Sequence, residues 1–345
     1  MRRRVVGLAM LAVGLAAGGL HGVPSVAGAA SALSPSIVHV ASAQGSAGTW
    51  SPGRTIDPDK NPPGQPATNV LWALSCPTTT FCAAGDVDGS LFSYSDGSWS
   101  SGQQIFAFQP GYIGDGFYSV SCRTTSFCVA DGTVFSYSDG SWSSGKQFSN
   151  TSDFGASCPT TTFCVLGGRV FNYSGGSWSS GRQANTGTGG NIFSSCPTAG
   201  HCAAVDNGGY PFTYSHGSWS KGTRITKPGL SLVSISCPTM TFCVAGDDSA
   251  NVYRYSGRRW SSRIELNTPN ANGNIQLTVN SVSCPTTRFC AAVVADGFVF
   301  TYTDGKWSSG LQLDQNALNS VSCPTTTFCV AGDSDGRVFT YSRGS

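Results

Sequence analysis

From Leu71 onward the chain is written in apolar runs of four to six residues, interleaved with Ser and Thr and cut by Gly, Pro and Asp. Four kinds of run recur in one order: Ser-Val-Ser-Cys, Phe-Cys-Val-Ala-Gly-Asp, Arg-Val-Phe-Thr-Tyr-Ser and Trp-Ser-Ser-Gly. Two-residue alternation with β-branched and aromatic side chains predicts short strands, and no segment carries the three-and-four spacing of a helix. The small residues at each break predict tight antiparallel hairpins.

The unit occurs seven times. Its pairs Cys76/Cys82, Cys122/Cys128, Cys158/Cys164, Cys196/Cys202, Cys237/Cys243, Cys284/Cys290 and Cys323/Cys329 contain all fourteen cysteines. Successive first cysteines lie 46, 36, 38, 41, 47 and 39 residues apart. That period suits propeller blades and helical repeats alike, and the strand-like runs select the former. The expected fold is all-β, a seven-bladed β-propeller whose blades have four strands, called a to d outward from the centre. The last repeat stops after Tyr341 where a Trp strand should follow, while Trp50 stands alone before the first Cys pair. An N-terminal strand around Trp50 is therefore expected to complete the C-terminal blade and close the ring.

The amino terminus reads as a targeting segment. Arg2, Arg3 and Arg4 precede an apolar stretch from Val5 to Leu20 and the small-residue site Ala27-Gly28-Ala29, which predicts a signal peptide over residues 1–29. Cleavage after Ala32 or Ala43 fits the same pattern. A flexible linker is expected over 30–47 and the propeller over 48–345, with no membrane span once the signal is removed. Export places the cysteines in an oxidising compartment, where Cys-x5-Cys predicts seven local disulfides, one stapling each a–b hairpin. Closing so short a loop contributes at most about 2.4 kcal/mol in the chain-entropy view. Zinc is disfavoured, because the two histidines within the ring, His201 and His216, cannot supply seven sites.

Charge narrows the partners. Charged residues make up 11% of the chain, and without the three leader arginines 17 basic residues face 18 acidic ones. Such a balance argues against nucleic acid, whose binding rests on clustered Lys and Arg. The densest basic group, Arg254, Arg258, Arg259 and Arg263, reads as a solvated outer-strand surface.

The turn before each Trp carries a resemblance. Tyr94-Ser95-Asp96-Gly97-Ser98-Trp99, Tyr137-Ser138-Asp139-Gly140-Ser141-Trp142 and Tyr302-Thr303-Asp304-Gly305-Lys306-Trp307 resemble a shortened Asp-box, the turn between third and fourth strands in sialidase-like propellers. One residue of the usual motif is absent, and Gly175, His216 and Gly257 replace its Asp in three blades. The array from Trp50 onward also resembles bacterial secreted β-propeller repeat proteins with Ser-Cys-Pro-Thr-x-x-Phe-Cys units. Both resemblances imply the fold, and because Asp-boxes are structural turns they imply no chemistry.

Loop lengths indicate which face works. The a–b turns and most c–d turns are nearly uniform, whereas the separation from Trp to the next first Cys runs 26, 23, 16, 18, 18, 24 and 16. The d–a and b–c connections share one face, and function gathers where loops vary. Four residues before each first Cys stand Trp72, Tyr118, Phe154, Ile192, Val233, Asn280 and Asn319. In a ring, Asn280, Asn319, Trp72, Tyr118 and Phe154 form one arc at the channel mouth, apolar rings beside amides, as a neutral sugar needs. The competing reading is ordinary inward packing, since aromatics are good strand formers.

Catalytic chemistry is less well supported. Candidate acids on the variable face are Asp57, Asp59, Asp115, Asp153 and Asp314, with no spacing that pairs two of them across a glycosidic bond. Glu265, the single Glu, falls on an outer strand, and neither His201 nor His216 has a Ser–Asp setting on that face. Asp86-Val87-Asp88-Gly89 and Asp333-Ser334-Asp335-Gly336 are similar to calcium loops, with Asp247-Asp248 a weaker relative, but lack further oxygen ligands and read as hairpin turns. The expectation is an exported monomeric binding module without metal or cofactor, recognising a glycan or another cell-surface polymer. A sialidase-like glycoside hydrolase and a scaffold for an extracellular protein are the alternatives.

Overall fold

The computed structural model describes residues 48–58, 69–106, 116–149, 155–184, 190–266 and 277–343. The signal peptide and linker expected over 1–47 lie outside them. Every regular element among the described residues is a β-strand, and the strands build seven antiparallel blades. In the first blade, Leu71–Ser75, Cys82–Asp86, Ser90–Ser95 and Ser98–Trp99 are strands a to d, and Gln103–Gln104 resumes d along the same neighbour. The innermost strands touch from blade to blade around the whole circle, the seventh meeting the first.

The repeated residues have repeated tasks. The strand-c Tyr lies opposite the second Cys on one side and the Trp on the other, as in Cys82, Tyr94 and Trp99. In blades 2 and 3, where three residues are missing between Cys and Tyr, Cys128 and Cys164 face Phe135 and Phe171, yet Tyr137 and Tyr173 keep their Trp partners. The deletion thus shortens the b–c hairpin and spares the Tyr–Trp pair. Asp96 and Gly97 both take positive φ, 51° and 79°, the backbone of the tight hairpin turn that suits the twist of paired strands. His216-Gly217 and Gly257-Arg258 preserve that geometry, so the Asp-box-like segment serves here as a turn.

Outer strand d of the seventh blade comes from the other end of the chain. Thr49–Trp50 and Arg54–Thr55 both pair with Arg337–Ser342, which sets Trp50 opposite Tyr341. Their rings lie 5.4 Å apart, against 5.1 to 5.5 Å for the six other Tyr–Trp pairs. Ser51, following that Trp, accepts the Thr340 amide at 3.0 Å just as Ser100 accepts that of Ser93.

Seven disulfides staple the a–b hairpins, one in each blade. In blades 1 to 4 they are Cys76–Cys82, Cys122–Cys128, Cys158–Cys164 and Cys196–Cys202. In blades 5 to 7 they are Cys237–Cys243, Cys284–Cys290 and Cys323–Cys329. This is the pairing that the spacing predicts, and it fits an oxidising environment.

The Ser before each first Cys links the blades. Its hydroxyl accepts the amide of the next blade's Cys at 2.9 to 3.0 Å, from Ser75–Cys122 through Ser283–Cys323 to Ser322–Cys76. Apolar packing fills the seams. Leu71, Phe92 and Trp99 of the first blade share a buried cluster with Val330 and Val338 of the seventh, and Ile56 of the N-terminal segment joins them. No helix among the described residues is long and apolar enough to cross a membrane.

Candidate functional site at the channel mouth

Strand a starts opposite the end of strand b, as in the pairing of Leu71 with Asp86, so its first residues emerge on the face of the variable connections. There a cavity of about 450 Å³ is bounded by Trp72, Tyr118, Phe193, Val233, Asn280 and Asn319. Four of the five residues in the expected arc, Trp72, Tyr118, Asn280 and Asn319, thus meet around one space. Phe154, the fifth, lies outside the described residues. The disulfides stand apart from this space. Cys202, Cys243, Cys290 and Cys329, like the second cysteines of the first three blades, are buried in the packing between strands, so their role is structural.

Local irregularity positions the lining groups. Strand a shifts register between Leu71 and Ala73, Leu232 and Ser234, and Leu318 and Ser320, so Trp72, Val233 and Asn319 occupy bulges. Bulges re-aim side chains and are frequent beside sites. In the first blade the effect is a Trp left 38% exposed beside a Leu that is fully buried. Blade 4 lacks the bulge: Ile192 pairs with Asp206 and Phe193 with Val205. Ile192 is buried there, and Phe193 faces the cavity instead. Counting back from the Cys missed Phe193. Counting forward from the apolar residue that opens the strand would have found it, since that residue precedes Cys by five positions at Leu71, Leu232 and Leu318 but by four at Ile192.

The amides are unevenly satisfied. Asn280 Nδ2 donates to the Leu318 carbonyl at 2.9 Å and lies 3.5 Å from Asn319 Oδ1. Asn319 is buried, and its side-chain nitrogen has no hydrogen-bond partner. An unmet buried donor costs on the order of 1–3 kcal/mol. The Tyr118 amide donates to Asp131 Oδ2 at 3.2 Å, anchoring the start of its strand.

Three of the described carboxylates on this face hold b–c hairpins. Asp86 Oδ1 accepts the amides of Asp88 and Ser90, Asp333 Oδ1 those of Asp335 and Arg337, and Asp247 Oδ1 those of Ser249 and Asn251. The Asp-x-Asp-Gly pattern therefore builds the b–c hairpin around its first carboxylate. Burial pushes Asp86 up to about 8, with Asp57 adding to the effect and the Ser90 amide opposing it. Burial likewise pushes Asp333 up to about 6. Asp57 shares a hydrogen bond with Asp86. Asp314 is bound by Arg337 at 2.9 Å; burial opposes its ionisation, but the amides of Asn316 and Gln315 and that guanidinium hold it below the usual carboxylate range. Asp59, Asp115 and Asp153 lie outside the described residues. Glu265 is on an outer strand beside Arg263 at 3.7 Å. Among the described residues, no three acidic, His or Cys side chains are grouped to hold a metal ion.

No protein-family model matches the chain, and no curated protein matches its sequence. Solved structures match its fold. Selenomethionine-substituted virginiamycin B lyase from Staphylococcus aureus superposes with a TM-score of 0.64 at 8% identity, over 86% of this chain and 99% of that one. YCF48 bound to D1 peptide gives 0.63 at 13% identity, over 86% and 97%, and YCF48 from Cyanidioschyzon merolae gives 0.58 at 13%, over 85% and 99%. At such identities the likeness concerns the propeller frame alone.

Proposed function

We propose that this protein is an exported, non-catalytic binding module that holds a glycan or similar exposed polymer at the mouth of its channel. The observation that carries the reading is the asymmetry of the cavity: Trp72, Tyr118 and Phe193 supply rings on one side, while Asn280 and Asn319 supply amides on the other. Rings cover the C–H faces of a sugar, and amide groups at the rim of the same space are of the kind that bind its hydroxyls. The described lining is made of rings, amides, hydroxyls and aliphatic groups, the kind of surface a neutral sugar needs. A second reading, a peptide or protein partner, draws support from the peptide-bound YCF48 propeller of the same fold.

A glycan array probed with the mature exported protein separates these readings. Saturable binding without turnover is expected. Release of reducing sugar would replace the module with a hydrolase, and silence across the array with capture of extracellular peptides would move the reading to a protein partner.

A further inference from the structure

Seven copies of one unit allow each blade edge to be compared with its siblings. The outer strands of neighbouring blades leave a groove along the rim. Between blades 6 and 7 this groove, about 400 Å³, has one cation, Arg343, in its lining. Between blades 4 and 5 it is about 560 Å³ and is lined by Lys221, Arg224, Arg258 and Arg259 around Tyr255 and Trp260.

These cations stand where the repeat departs from itself. Lys221 takes the place that Ser101, Ser144 and Ser309 hold in Trp-Ser-Ser-Gly, and Arg259 takes that of Ser98 and Ser141. Arg258 occupies the turn position filled by Gly97, Gly140 and Gly217, and it does so at a φ of 67°. A side chain in that left-handed region is strained, and such strain persists where something else selects the residue. His201 replaces the motif Phe as well. In other seams that Phe packs on the next blade's Tyr, as Phe81 does on Tyr137 at 5.4 Å and Phe289 on Tyr341 at 5.9 Å. His201 instead faces His216 of its own blade at 6.4 Å.

The arginines in the groove are uncompensated. Among the described residues Arg263, Arg288 and Arg337 have acidic partners, whereas Arg224, Arg258 and Arg259 have none. Lys221 sits 3.9 Å over the ring of Tyr210, and Arg224 lies 5.7 Å from the same ring, which holds two like charges together. Like charges gathered in one groove create a field that an anion relieves. The near-zero net charge of the whole chain conceals this concentration.

We propose that the rim groove between blades 4 and 5 is a second binding site, for an acidic polysaccharide whose sugars carry carboxylate or sulfate groups. The cations meet the anionic groups, the half-buried indole of Trp260 covers a ring face, and Thr213, Ser220 and Ser261 offer hydroxyl partners. A nucleic acid fits less well, because its backbone needs a continuing cationic track, whereas these four cations gather in a single groove.

The test reverts the groove to the protein's own repeat. Lys221→Ser, Arg258→Gly and Arg259→Ser, combined in one variant, install residues that sibling blades already tolerate, so folding is retained. Binding of a fluorescent heparin octasaccharide and of an oligogalacturonate is measured by anisotropy at about 50 and about 200 mM NaCl, a range over which ion-pairing contacts weaken. The parent binds at least one of the two saturably and more weakly at the higher salt. The reverted variant binds at least tenfold more weakly, and Arg343→Ser, at the sibling groove, changes affinity less than twofold. Failure of the parent to bind either probe, or equal affinity in the reverted variant, overturns the site. Equal affinity of the parent for oligothymidylate or polyglutamate would show that the groove reads charge alone and would overturn the glycan assignment.

Discussion

The amide of Cys76 donates to the hydroxyl of Ser322 at 2.9 Å, joining first and last blades across 246 residues of chain. The same bond recurs at the six other seams, so Ser beside Cys in the motif is a clamp between blades. A backbone–hydroxyl bond of this kind is worth about 1 kcal/mol, more if its loss strands a buried amide. Ser322→Ala should lower stability to urea by about 1–2 kcal/mol, and Ser121→Ala by a similar amount. An unchanged midpoint for Ser322→Ala would mean that the seam between last and first blades is not clamped there.

The N-terminal strand should matter to folding as a whole. Deleting residues 48–56 removes the strand opposite Tyr341 and exposes an unpaired edge. The truncated protein is expected to melt at a markedly lower temperature and to aggregate on concentration. Scanning calorimetry with light scattering checks this, and melting at the parent temperature would remove the locking role from the strand.

Peptide mapping without reduction should recover each Cys linked to its partner six residues away, from Cys76–Cys82 to Cys323–Cys329. Detection of a Cys82–Cys122 peptide or of free thiols in exported protein would contradict the one-staple-per-blade arrangement. Mild reduction should lower thermal stability in steps, as seven independent hairpins lose their local constraint.

Stability should fall as pH rises. Asp86 keeps its proton up to about 8 in the folded protein, chiefly through burial, whereas an unfolded chain releases it near 3.8. The folded state therefore binds more protons across that interval, and its advantage is full below about 4 and lost as pH rises through 8. Asp333, raised to about 6, acts in the same direction over a narrower window. Urea midpoints should be higher at about pH 5.5 than at about pH 8.5, with the difference at least halved in Asp86→Asn. Equal midpoints at both pH values in the parent would show that these carboxyls are not held neutral.

At the channel mouth, binding and folding should separate. Tyr118→Ala and Asn319→Ala are expected to weaken binding of an array-identified ligand by about 1 kcal/mol per lost contact, roughly fivefold. Core packing predicts the reverse, since truncating a buried aromatic costs about 3–5 kcal/mol of stability. Melting and titration on the same two variants decide, and a large loss of stability with unchanged affinity per folded molecule would strike the mouth from consideration.

How much was legible in the sequence depended on how local the signal was. The blade count, the all-β class and the pairing of Cys76 with Cys82 and its six copies follow from one repeated pattern, because hairpin stapling and strand alternation act within a dozen residues. The turn role of Asp96-Gly97 was similarly local. Three matters needed the tertiary structure. Phe193 faces the mouth because blade 4 lacks the bulge that lifts Trp72 and Asn319, and a bulge is set by pairing with strand b, not by distance from Cys. Nothing in the sequence around the serine beside each Cys marks its partner, an amide in the next blade, as far away in sequence as Cys76 is from Ser322. Arg258 and Arg259 read as a solvated surface until Lys221 and Arg224, some forty residues earlier, were found across the same groove. The sequence by itself determined what each repeat is, since backbone pairing and covalent staples are short-range; packing of the blades decided what neighbouring repeats make together, since grooves, seams and charge clusters exist only between them.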